Sequence, residues 1–294
     1  MNTQYKKWSL FIALSVIWGS SFILMKEGLK NLTSYQVASL RIVSSGIVLL
    51  PILAKGIKEI PVKKWPVVFL SGALGSLIPA YLFCLAEMGI SSSLAGTLNS
   101  LTPIFAIISG AVLFHSKPTS RHWVGVFIAF IGCLLLFFSQ TDLGIGDHPF
   151  YILLIILATL SYGINANLVY HYLRSIPALQ IVSLSLFLNA LPALIVLVSS
   201  GFFSLKFTDK ALAGSMGFSI LLGIMSTSLA SVLYYRLIKM SGAIFSSMTT
   251  YGIPFVAIIW GLIFGEKIGI LQVFGLSVIL IGVYYANKKR MNDH

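Results

Sequence analysis

Ten runs of mostly apolar residues, joined by short connectors, constrain this chain more than any single motif. A helix needs about 20 such residues to cross the hydrocarbon layer of a bilayer. The runs fall at 8–26, 34–54, 65–86, 92–114, 121–139, 149–171, 177–200, 212–235, 242–264 and 269–287. Hydrophobic residues make up 57% of the 294 and charged ones only 10%, against roughly 25% charged in an average soluble domain. The sequence therefore predicts an all-α integral membrane protein with ten transmembrane helices. No polar stretch is long enough to fold as a soluble domain. The first run follows Lys6 and Lys7, but it exceeds a signal-peptide core and lacks an A-x-A-like cleavage site, so it reads as a retained helix.

A formal net charge of +12 raises the question of nucleic acid. The cations, however, sit in connectors between apolar runs and form no basic stripe interleaved with aromatics, which excludes that partner. With the N-terminus inside, the inner segments hold Lys6, Lys7, Lys55, Lys58, Lys63, Lys64, Lys117, Arg121, Arg174, Arg236, Lys239, Lys288, Lys289 and Arg290, against Lys26, Lys30, Lys206, Lys210 and Lys267 outside. The positive-inside rule then puts both termini in the cytoplasm, and the expected location is the cell inner membrane. Cys84 and Cys133 lie far apart in apolar runs and read as small hydrophobes.

Two stretches break the apolar pattern in the same way. Gly96, Asn99, Ser100, Pro103 and Gly110 are echoed by Ser247, Thr250, Tyr251, Pro254 and Gly261, and the two prolines are 151 residues apart (254 − 103). Gly125 and Gly132 match Gly275 and Gly282 at an offset of 150. Further upstream the offset is 144: Trp18-Gly19 faces Tyr162-Gly163, and Gln36, Ser39 and Leu40 face Gln180, Ser183 and Leu184. Matches in one order over five helices predict a duplicated unit, divided as 1–140 and 141–294. An odd helix number makes the second copy enter from the opposite side. The fold class expected is two inverted five-helix repeats, with a substrate site near the midplane where they meet.

Trp18-Gly19-Ser20-Ser21-Phe22, Arg41 in the second helix, 95–103 in the fourth and Gly265-Glu266-Lys267 opening the last hairpin resemble the EamA-type members of the drug/metabolite transporter superfamily. The resemblance covers nearly the whole chain. It implies a ten-helix bundle with cytoplasmic termini that moves small metabolites, often outward. The first copy departs from the pattern at His115, where a glutamate matching Glu266 is expected.

On an ideal helix, residues at i, i+3, i+4 and i+7 share one face. Gly96, Asn99, Ser100 and Pro103 fit that template, as do Ser247, Thr250, Tyr251 and Pro254. Two readings stand: a polar stripe lining a substrate pathway, or small polar residues packing helices together. Asn and Tyr are larger than packing requires, which favours the pathway. Trp18, Ser21, Tyr162, Asn165 and Asn167 add polar and aromatic groups on the first and sixth helices, and Ser226, Thr227, Ser231, Tyr234 and Tyr235 do so on the eighth. Tyr234 and Tyr235 also suit an interfacial aromatic belt. Arg41 is the one formal charge well inside an apolar run. It is either functional or snorkels to the headgroups; if functional, it pairs with Glu87 as an outer gate.

The five histidines, His115, His122, His148, His171 and His294, fall in or beside connectors and show no metal-ligand spacing. No Ser/His/Asp set, phosphate-binding loop or thiolate cluster occurs, so no enzyme, cofactor or metal is expected. The expected partners are a small-molecule substrate and the lipid bilayer, with monomer and homodimer both open. The function these features point to is a secondary transporter working by alternating access. A cavity of hydroxyls, amides and aromatics without central charge suits neutral, zwitterionic or amphipathic solutes, amino-acid efflux among them. The alternative is a non-transporting membrane scaffold or lipid-interacting subunit, which has no use for an inverted repeat with duplicated polar stripes.

Overall fold

The computed structural model describes residues 3–90, 92–138, 149–256, 259 and 269–287. Gly144, Gly146, His148, Gly261, Gly265, Glu266, Lys267, Lys288, Lys289, Arg290 and His294 lie outside the described residues. Among the described residues every regular element is helical. The longer helices are α1 (Thr3–Gly28), α2 (Ser34–Val48), α3 (Leu50–Glu59), α4 (Trp65–Gly72), α5 (Ile78–Ala86), α6 (Ser92–Asn99), α7 (Thr102–Leu113), α8 (Ser120–Phe138), α9 (Pro149–Tyr172), α10 (Ala178–Ser199), α11 (Lys210–Leu222), α12 (Ala230–Ser247) and α13 (Ile270–Asn287).

Among the described residues six stretches are long and apolar enough to cross a membrane: Gln4–Gly28, Val62–Ala86, Leu94–Leu113, Pro149–Tyr172, Ala178–Ser199 and Lys210–Val256; α2 with α3 makes a seventh if that bent pair is one span. Large aliphatic and aromatic side chains cover the outside. Ile12, Phe127, Ile195 and Leu280 are each more than half exposed, an apolar surface that suits lipid rather than water. The chain is a multi-pass membrane protein.

Several apolar runs are less straight than their composition suggests. The second bends by 71° between α2 and α3 at Leu49, because Pro51 in the first turn of α3 has no N–H for the carbonyl four residues back and its ring clashes with that carbonyl. The third carries a π-helical turn, Ala73–Leu77, between α4 and α5. The fourth breaks between Asn99 and Thr102. The eighth and ninth form one run of 47 residues, Lys210–Val256, with a π segment at Gly223–Leu229 and a 3-10 stretch at Met248–Gly252. Gly242 interrupts that run at φ 80°, a left-handed conformation that glycine adopts without strain.

Close approach of backbones holds the bundle together where glycines allow it. A Cβ on Gly19 would lie 2.6 Å from Val256 Cβ, and one on Gly163 2.7 Å from the Ala106 backbone nitrogen. α8 and α13 meet along Gly125, Gly132, Gly275 and Gly282, where an added Cβ would come within 2.4 to 2.9 Å of the facing helix. Thr33 caps α2 in a reciprocal capping box with Gln36. Buried amides bridge helices: Asn167 Nδ2 donates to Ala106 O at 2.7 Å and Asn189 Nδ2 to Phe69 O at 3.0 Å.

Buried apolar residues divide into two clusters. One contains Leu14, Ile60, Ile107, Leu173, Leu237 and Met248. The other contains Met25, Leu32, Val37, Phe83, Leu94 and Phe202. A cavity draws its walls from both, since Tyr234 and Tyr235 belong to the first cluster and Met25 and Phe83 to the second.

Candidate functional site

The cavity contains about 750 Å³ of empty space, its open mouth included, which bounds any occupant to a small molecule. α1 supplies Trp18, Ser21, Phe22 and Met25, α2 Arg41, and the first π turn with α5 Gly75, Ser76 and Phe83. Asn99 and Thr102 flank the break between α6 and α7. α9 adds Tyr162 and Asn165; the second π segment with α12 adds Ser226, Thr227, Ser231, Tyr234 and Tyr235; and Thr250 and Ile253 complete the wall. Both π turns reach the cavity, a common place for such bulges because they free backbone carbonyls and re-aim side chains.

Aromatic pairs shape the walls. Trp18 meets Tyr234 edge to face with centroids 5.1 Å apart, and Tyr162 stacks on Phe83 at 6.2 Å. Trp18 Nε1 donates to Ser226 O in the second π segment at 3.2 Å. Asn165 Nδ2 donates to the Tyr235 hydroxyl at 3.3 Å, which in turn donates to Ser71 O at 3.2 Å. Ser21 Oγ donates to Trp18 O at 2.6 Å. Ser226 lines the cavity, and its hydroxyl oxygen is buried with no hydrogen-bond partner.

The two polar stripes are split by this geometry. Asn99 and Thr250 face the cavity, whereas Ser100 and Tyr251 turn away toward α8. Ser100 is fully buried beside the Cys133 thiol, and the Tyr251 hydroxyl donates to Val126 O at 2.8 Å. The shared-face expectation assumed continuous α-helix. α6 instead stops at Asn99, and 248–252 winds as a 3-10 helix with 3.0 rather than 3.6 residues per turn. Pro103 lies in the first turn of α7, where its missing N–H costs nothing, and neither it nor Pro254 forms part of the wall. Gly96 sits behind Phe22 and Ile253, which a Cβ would meet at 3.8 and 3.9 Å. Ser247 spends its hydroxyl on Ile244 O at 2.8 Å.

Arg41 corrects two expectations. It is buried, 8% exposed, and neither snorkels nor bonds to Glu87. Its Nε donates to Thr227 Oγ1 at 2.7 Å, and the guanidinium lies against the Tyr162 hydroxyl. Among the described residues the ion pairs are Lys30–Glu27 and Lys55–Glu59, so the direct Arg41–Glu87 contact is not formed. The cavity is therefore charged on one wall. Glu87 follows the last residue of α5, where burial pushes its carboxyl up to about 8 against the opposing pull of Ser92, Lys26 and Arg41. Of the lining residues, Phe22, Met25, Gly75, Ser76, Phe83, Thr102 and Ile253 went unrecognised in the sequence. The matching positions of Phe83 and Tyr234, 151 apart (234 − 83), are the signal that could have found some of them.

Fold and cavity define a class: an all-helical, multi-pass membrane protein with a polar, aromatic-walled chamber inside its bundle. The chain belongs to the EamA-like transporter family, which matches residues 6–138 and again 149–288. It is similar to an uncharacterized transporter of Archaeoglobus fulgidus, 26% identical over 97% of this chain and 100% of that one. The uncharacterized inner membrane transporter YedA of Escherichia coli is 24% identical over 92% of this chain and 87% of its own length. A protein of Escherichia coli named a probable amino-acid metabolite efflux pump is 28% identical over 43% of this chain and 41% of its own. One solved crystal structure shares the fold at 12% identity, with a TM-score of 0.72 over 95% of both chains.

Proposed function

We propose that this chain is a secondary transporter of the cell inner membrane that moves small metabolites by alternating access of two inverted five-helix repeats, 1–140 and 141–294. The observation that carries this reading is the paired make-up of the cavity wall. Trp18 and Tyr162 are 144 apart (162 − 18), as are Ser21 and Asn165 (165 − 21). Asn99 and Thr250 are 151 apart (250 − 99), as are Phe83 and Tyr234. The Trp18–Tyr234 and Tyr162–Phe83 ring pairs are thus the same contact made twice with the halves exchanged. The Gly19–Val256 and Gly163–Phe105 contacts repeat that exchange. A scaffold needs no such duplication, whereas a transporter uses it to hold one site between two interchangeable packings.

Ten crossings follow if α2 with α3 counts as one, the 47-residue run as two parted near Gly242, and α8 and α13 as one each. The separate family matches support the division into two units. Both termini are cytoplasmic on the distribution of cations. Amino acids or related metabolites, moved outward, are the cargo suggested by the efflux pump that resembles part of this chain. Counterflow tests the function. Purified protein in liposomes preloaded with unlabelled amino acids and related metabolites is expected to accumulate at least one labelled counterpart. A broad panel in which no solute is moved overturns the reading.

A further inference from the structure

Every polar residue of the cavity wall is neutral except Arg41. Among the described residues no carboxylate lies within 4.0 Å of it, and Glu87, whose charge reaches it, makes no contact. A buried cation without an ion partner is destabilising, and hydroxyls from Thr227 and Tyr162 orient it without neutralising it. Thr227 engages Nε and the Tyr162 hydroxyl lies against the same guanidinium, which together hold its plane in place while its remaining N–H donors stay available to a solute on the cavity side. A planar guanidinium donates charge-assisted hydrogen bonds to a carboxylate. A single cation suits a single negative charge, whereas a phosphate dianion calls for more than one.

The charge is also one-sided. At the offset of 144, Arg41 corresponds to Ser185 (185 − 41), whose hydroxyl donates to Val182 O at 3.1 Å and which is not part of the wall. In an otherwise paired cavity, only one half carries a cation.

We infer that Arg41 anchors a single carboxylate on the transported solute, next to Thr227 and Tyr162, and that the substrate class is small monocarboxylates, zwitterionic amino acids included. This rests on the transporter reading above and replaces neutral, uncharged solutes as its cargo. The one-sided anchor holds the solute in one orientation between halves that are otherwise alike.

The test compares acids with their carboxamides, which keep the shape and remove the charge. The twenty amino acids, short-chain monocarboxylates and the carboxamide of each are assayed on the full-length protein, by thermal shift in detergent and by counterflow in liposomes. At least one acid is expected to bind and to be moved, with its carboxamide at least tenfold weaker. Arg41→Gln is expected to weaken the acid at least tenfold, Arg41→Lys to restore part of the loss, and Ser185→Ala to leave it unchanged. If Arg41→Gln does not fold, the acid-to-carboxamide ratio of the unmodified protein decides. Solutes moved with no preference for the acid overturn the Arg41 assignment and leave transport standing. Acids that bind at Arg41 without being moved overturn transport and leave the assignment standing. A protein that neither binds nor moves any of them overturns both.

Discussion

Arg41 owes its position to Thr227, and that contact is testable by itself. Replacing Thr227 with valine keeps the volume but removes the acceptor of the 2.7 Å hydrogen bond from Nε. A hydrogen bond to a charged group contributes about 1.5–3 kcal/mol to stability, so Thr227→Val is expected to lower the melting temperature and, with the guanidinium no longer held in place, to raise the apparent KM for an acid. Glu87 gives a second handle. Its carboxyl is pushed up to about 8 by burial and faces Ser92, Lys26 and Arg41. Below that pH it is neutral and leaves Arg41 to the solute; above it, the carboxylate competes for the same cation. Counterflow of an acid is therefore expected to fall between pH 7 and 9, and Glu87→Gln to flatten the fall. A profile identical in both proteins would remove Glu87 from the cavity's electrostatics. The charge itself was legible, because an arginine in an apolar run stands out. Its direction was not, since a long side chain can reach headgroups, a glutamate or a cavity from the same backbone position.

At the level of elements, glycines and helix breaks decide which faces meet. Gly163→Ala would place a Cβ 2.7 Å from the Ala106 backbone nitrogen, so the helices must part; a loss of about 1–3 kcal/mol is expected for overpacking of this kind. Gly214→Ala, with nothing within 4 Å, is expected to be neutral or stabilising by about 0.5–1 kcal/mol on helix propensity. Thermal unfolding in detergent separates the two, and equal effects would mean that the α7–α9 contact is looser than described. Segment existence was legible, since α9 at Pro149–Tyr172 and α10 at Ala178–Ser199 nearly coincide with the apolar runs 149–171 and 177–200. The phase within segments was not. Ser100 and Tyr251 share a helical face with Asn99 and Thr250 only on an unbroken α-helix, and neither the π turns nor the 3-10 stretch announces itself in apolar sequence. The bend before Pro51 could have been anticipated from the proline; its 71° could not.

For the whole molecule, the order of matched residues along the chain was the most informative sequence feature. On the two-repeat reading, matched offsets outlast the identity of individual side chains, as with Trp18 and Tyr162 or Ser21 and Asn165. What the pattern could not convey is that the cavity lies between two apolar clusters, one around Leu14, Ile107 and Met248 and the other around Met25, Phe83 and Leu94. On the transporter reading these clusters are the gates, each of which must open while the other stays packed. The most direct test of that claim is side-specific thiol labelling. Asn99→Cys and Thr250→Cys, in a background with Cys84 and Cys133 replaced by serine, are reconstituted in oriented vesicles. Each is then exposed to a membrane-impermeant reagent from one side at a time. Both positions are expected to label from either side, with an added solute shifting the ratio between sides, while Ser100→Cys and Tyr251→Cys stay protected. Labelling of Asn99→Cys and Thr250→Cys from one side only, unchanged by any solute, would contradict alternating access around this cavity.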